Sequence, residues 1–165
     1  MSDSDHAVSH VMEAFRKRAS MSQIYSAYLA EFIHNEEVSV FLVKSLADES
    51  LMDWQKIWLI AALMQKGEAL AGAVKAALDL LRDGTRHEAL RAVAAVYVGR
   101  YGDHSRRKSL RTIYNSVTPY IQSAIYFSSR NWQGAEKSTA KASWGTHGLM
   151  NRLLTIAMER RPKKE

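Results

Sequence analysis

The sequence predicts an all-α protein built from antiparallel helix pairs, and three observations carry that prediction. Two prolines and eight glycines in 165 residues leave long windows of Ala, Leu, Met, Lys, Arg and Glu, all good helix formers. Helix start and stop signals recur at short intervals, with Gly67, Gly84, Gly102 and Gly145 at expected helix ends. A script of small residues, then Ile or Val with Tyr, runs through "RAVAAVYVGRYGD" and returns about 30 residues later in "YIQSAIYFSSRNW", the period of a two-helix unit. "KIWLIAALMQKG" fits more loosely, roughly 33 residues before the first of these.

Apolar spacing between the punctuation marks gives about ten helices, at roughly 9–19, 21–34, 36–47, 50–66, 68–82, 86–101, 104–116, 119–131, 134–143 and 147–160. Residues 50–66 are apolar nearly all round their second half, the pattern of a helix covered on several sides. Thr85 and Glu88 have capping-box spacing ahead of helix 86–101. Asp103 is placed to cap helix 104–116, and Thr118-Pro119 to open the next, with proline where its missing N–H costs nothing. Helix 104–116 divides into an apolar side of Leu110, Ile113 and Tyr114 and a wet side of His104, Arg107, Lys108, Arg111 and Asn115. No linker interrupts the chain, so one domain is expected over 9–160, with frayed ends at 1–8 and 161–165.

A content of 47% hydrophobic and 24% charged residues is a soluble globular balance. The absence of cysteine excludes disulfides, thiolate nucleophiles and Cys-based zinc sites. The opening MSDSDHAVSH lacks the features of a secretory signal, and the apolar run Ile57 to Met64 is too short for a membrane span, so a cytoplasmic protein is expected. Charge is distributed unevenly. Lys+Arg against Asp+Glu is 4 to 8 over residues 1–50, 7 to 5 over 51–100 and 12 to 4 over 101–165. The gradient points to an anionic partner for the carboxy-terminal half, against a simple reading as solvated surface.

"LLRDGTRHEALRAVAAVYVGRYGD" resembles a HEAT-type repeat, well over 80–103, more weakly over 117–132 and poorly before residue 50. The resemblance implies a HEAT-like solenoid over about 50–160 with a helical amino-terminal cap. Asp83 and Arg91 would then tie adjacent repeats, Ala94 and Gly99 would be small packing positions, and Gln122 would stand in the approximate place of Arg91. "LADESLMDWQKIWLIAALM" is further similar to the helical-repeat segment carboxy-terminal to the polymerase in bacterial defence-associated reverse transcriptases of the abortive-infection and unknown-group types. The polymerase signature Tyr-x-Asp-Asp does not occur in the chain. The resemblance therefore implies an accessory part of an antiviral system, as a split companion or as the end of a longer polypeptide.

Catalytic patterns fail on specific residues. His87-Glu88 begins a zinc-protease motif, but Arg91 stands where the second histidine must fall. His6 and His10 share a helical spacing without a third ligand nearby, and no metal or cofactor is expected. Gly99-Arg-Tyr-Gly102 is too short for a dinucleotide loop; Gly145-Thr-His-Gly148 reads equally as an anion nest or a Thr146 cap. What remains is surface. Lys137, Lys141 and Trp144 have one-face spacing, and stacked units would align them with Arg107, Lys108 and Arg111 in a continuous basic strip. Trp132 and Trp144 read more simply as core anchors. The resulting expectation is a non-catalytic binding module whose strip meets nucleic acid, DNA or RNA, or an acidic protein surface, in company with a reverse-transcriptase-like polymerase. The alternative is an enzyme resembling HEAT-like DNA-alkylation glycosylases, with Asp103 beside Trp132 as the acidic residue.

Overall fold

A computed structural model describes residues 3–67 and 69–129. Over them the chain forms helices α1 (Asp3–Lys17), α2 (Ser22–Ala30), α3 (Glu36–Ala47), α4 (Asp53–Lys66), α5 (Ala71–Arg82), α6 (Glu88–Tyr101), α7 (His104–Ile113) and α8 (Pro119–Ser129). Short 3-10 turns at Ala19–Met21 and Tyr114–Ser116 tighten two of the connections. Among the described residues there is no strand. The expected helices at 134–143 and 147–160, the tail 161–165 and the strip members Lys137, Lys141 and Trp144 lie outside the described residues.

Helices meet in two rows. α2 packs on α4, α4 on α6 and α6 on α8; α1 meets α3, α3 meets α5 and α5 meets α7; each odd helix also packs on the even helix that follows it. Polar contacts fix the directions within the even row. The Gln55 amide donates to the Phe15 carbonyl at the start of α4, close to where α2 begins, while Lys66 at its end pairs with Glu31 just beyond α2. Asp53 Oδ2 accepts the His87 N–H at 2.7 Å where α4 and α6 start, and Tyr101 Oη donates to the Met64 carbonyl where they end. Glu88 and Thr118 join the starts of α6 and α8. The four even helices therefore run parallel.

Burial follows from this position. In α4 every residue from Gln55 to Met64 is buried, and in α6 every residue from Ala92 to Gly99, since each has helix neighbours on several sides. The all-round apolar run in the sequence is the signature of that placement. Trp58 enters the core at 7% exposed, whereas Trp54, one turn earlier and edge-on to it, stays 41% exposed. Ala94 is fully buried, and a Cβ built on Gly99 would overlap the Ser128 side chain, so glycine here permits the approach of α8 to α6.

Two local expectations need correction. Helix α1 begins at Asp3 and buries Val8, so residues 3–8 are helical and not frayed. The Thr85–Glu88 capping box does not form. Thr85 turns back to bond Asp83 Oδ1 through its N–H and hydroxyl, and His87 Nδ1 caps α6 by accepting the Ala89 N–H at 3.0 Å. Glu88 is thereby released to reach Thr118 in the next pair.

Candidate functional site

The basic face of α7 is built by a cap and a stripe. Asp103 Oδ1 accepts the Arg106 N–H at 2.9 Å, satisfying one of the unpaired donors at the helix start, and Oδ2 holds the Arg106 guanidinium. The Arg106 backbone bond, then the Arg106 charge, keep the Asp103 carboxyl below the usual carboxylate range. Leu110 and Ile113 anchor the helix to the core. His104, Arg107, Lys108, Arg111, Tyr114 and Asn115 are all exposed. Tyr114 continues the helical spiral, its N–H bonding the Leu110 carbonyl, so Arg107, Arg111 and Tyr114 at i, i+4 and i+7 fall in one stripe. Arg107, Lys108 and Arg111 form no ion pair among the described residues, in contrast to Arg106.

A second concentration of charge lies where α4 and α6 begin. Asp48, after α3, accepts the N–H and hydroxyl of Ser50; Asp83, after α5, does the same with Thr85. These bonds, the hydroxyl first, lower both carboxyl pKa values. Arg86 ties the corners together: its guanidinium bonds Asp83 and Asp53 at 3.2 Å each and also Glu49. Arg91 donates to the Leu81 carbonyl at 2.9 Å, joining the start of α6 to the Leu80-Leu81-x-Asp83 end of α5, and Arg86 adds ion pairs that reach α4. Gln122, the fourth residue of α8, donates to the Tyr114 carbonyl at 2.9 Å.

Lys56 holds the corresponding fourth position of α4, and its environment differs. The side chain is fully buried and Nζ has no hydrogen-bond partner among the described residues. Burial first, then the charge of Arg86, lowers the lysine pKa, against the opposing pull of Glu49, Asp53 and Asp48.

The sequence places Arg107, Lys108 and Arg111 on a wet face, and all three are exposed; it does not single out Arg86, Lys56 or the exposure of Tyr114, which the apolar pattern places on the core side. A signal for Lys56 was present. Asp48-x-Ser50-x-x-Asp53-x-x-Lys56 aligns with Asp83-x-Thr85-x-x-Glu88-x-x-Arg91 at an offset of 35 positions. The notable chemistry of His87 and Asp103 is spent on capping. Among the described residues no group of three His, Asp or Glu is placed to hold a metal, and no helix is long and apolar enough to cross a membrane. Comparison with protein-family models, with curated proteins and with solved structures finds no match.

Proposed function

We propose that the chain is a non-catalytic, HEAT-like helical-repeat module that offers the α7 face to an anionic partner, a nucleic-acid backbone or an acidic protein surface. The repeat part of this reading is supported by the parallel even helices and by the two corners 35 positions apart that share the same side-chain bonds. The observation that carries the binding part is the set of three exposed cations Arg107, Lys108 and Arg111 on one short helix, with no ion pair among the described residues. Arg86, by contrast, is neutralised by three carboxylates. Association with a reverse-transcriptase-like polymerase belongs to the same proposal and rests on the resemblance over 46–64 alone.

The test is binding of labelled single- and double-stranded DNA and RNA, and of polyglutamate, across a salt titration. Three phosphate contacts from α7 alone give an affinity loss of about 20-fold between 50 and 200 mM salt for a single strand. Changing Arg107, Lys108 and Arg111 together to Glu abolishes that binding while the helical signal persists. A wild-type chain that binds none of these probes at low salt refutes the reading.

A further inference from the structure

We infer that the α7 face is a single-stranded nucleic-acid platform on which Tyr114 stacks a base while Arg107 and Arg111 hold the adjoining phosphates. This rests on the anionic-partner reading above and narrows it.

Four observations lead there. Tyr114 is one of the few large apolar residues left exposed, at 36%, and the rest of its stripe is cationic or polar. An aromatic ring amid exposed arginines that form no ion pair among the described residues suits a partner that is both π-faced and anionic, which a nucleic-acid strand is and a carboxylate surface is not. The rise from Arg107 to Arg111 is about 6 Å and from Arg111 to Tyr114 about 4.5 Å, so ring and guanidinium groups are spaced on the scale of one or two nucleotides. Finally, the ring is seated on fixed backbone: the Tyr114 N–H bonds Leu110 at the end of α7, and its carbonyl receives Gln122 from α8. The residue does not have to be ordered on binding.

The corners of the molecule sharpen the point. At the position after the odd helix, the α3–α4 and α5–α6 corners carry Asp48 and Asp83, each held by a hydroxyl residue two places on. Tyr114 takes that position in the α7–α8 corner, where the carboxylate that would repel a phosphate is replaced by a ring. A duplex keeps its bases stacked inside and offers the ring no face, so stacking by Tyr114 selects unpaired strands.

The experiment measures binding of the full chain to fluorescein-labelled dT12, to a 12-base-pair duplex and to polyglutamate at fixed salt, for wild type, Tyr114→Ala and Tyr114→Phe. The expected result is tighter binding of dT12 than of duplex, a loss of about 5- to 100-fold for dT12 in Tyr114→Ala, and retention in Tyr114→Phe. The salt slope stays unchanged, because no phosphate contact is removed. Ultraviolet crosslinking of an iodouracil-substituted strand to the wild-type chain, mapped by mass spectrometry, is expected at Tyr114 and does not depend on the folding of any variant. Equal affinity for strand and duplex, a Tyr114→Ala affinity within twofold of wild type, or polyglutamate binding as tight as dT12 overturns the inference and leaves the anionic-partner reading in place. Failure of all three probes to bind removes both.

Discussion

The α3–α4 and α5–α6 corners and the α7–α8 corner occupy matching places in the molecule and treat charge in opposite ways. In the first two, an aspartate follows the odd helix, an acid opens the even helix, and Arg86 gathers Asp83, Asp53 and Glu49 into one network. In the third, the same places hold Tyr114 and Pro119, and Arg107, Lys108 and Arg111 of the preceding helix form no ion pair among the described residues. The first turn of α7 is also cationic where α3, α4 and α6 begin with acids, an arrangement that opposes the helix macrodipole. Charge in the first two corners is consumed by the fold. On α7 only Arg106 is paired, to Asp103, while Arg107, Lys108 and Arg111 form no ion pair among the described residues.

If the α6–α8 junction is held by close approach in place of an ion network, filling the space should do the most damage. Gly99→Val puts a branched side chain where Ser128 already sits, with the Ser128 carbonyl carbon 2.9 Å from the new Cβ, and costs about 1–3 kcal/mol in thermal or denaturant unfolding. A variant as stable as wild type contradicts that account of the junction. Ala94→Phe, in the fully buried centre of α6, is expected to cost a similar amount.

The network side of the comparison is sharpened by Lys56. Its folded pKa lies below the unfolded value of about 10.4, so between the two the unfolded chain binds more protons and stability rises with pH. Below the folded value the amine is charged in both states and the burial penalty is present in full. Lys56→Met should therefore stabilise the protein by about 1–2 kcal/mol at neutral pH and flatten the alkaline rise. A destabilised variant would mean that Nζ is held by its acidic neighbours more strongly than its burial costs. At the other end of the scale, the lowered carboxyl pKa values of Asp48, Asp83 and Asp103 predict stability that is complete above about pH 4 and lost as pH falls through those lowered values.

The smallest effect is expected at Asp103. Asparagine retains the capping oxygen, so Asp103→Asn should change stability by a few tenths of a kcal/mol and leave nucleic-acid binding unaltered. Base excision from alkylated DNA that is lost in this variant would instead support the glycosylase alternative.

Much of the architecture was legible because helix punctuation is local. The bounds of α3 and the starts of α7 and α8 follow directly from Glu36-Glu37, Asp103 and Thr118-Pro119. The unit spacing was less accessible, because it is not constant: Asp53 to Glu88 is 35 positions, while Glu88 to Pro119 is 31. A single period near 30 therefore aligns α6 with α8 and blurs α4. Long-range ties were the least legible. Glu88 has a partner at capping-box distance in Thr85, yet bonds Thr118 because Asp83 takes Thr85 first, a competition decided by packing and not by spacing. The cationic stripe of α7 was legible because basic residues at helical spacing are visible in a linear reading. Tyr114 was misplaced because an aromatic beside Ile113 looks like core until the neighbouring helices are in position.

The division between structural and available charge is tested most directly by measuring thermal stability and single-strand affinity together on two variants, Arg86→Gln and the triple variant Arg107→Gln, Lys108→Gln, Arg111→Gln. The account predicts that Arg86→Gln lowers the melting temperature and keeps its affinity for dT12, whereas the triple variant melts as wild type and loses binding. A triple variant that unfolds early, or that still binds dT12 with wild-type affinity and salt dependence, would contradict it.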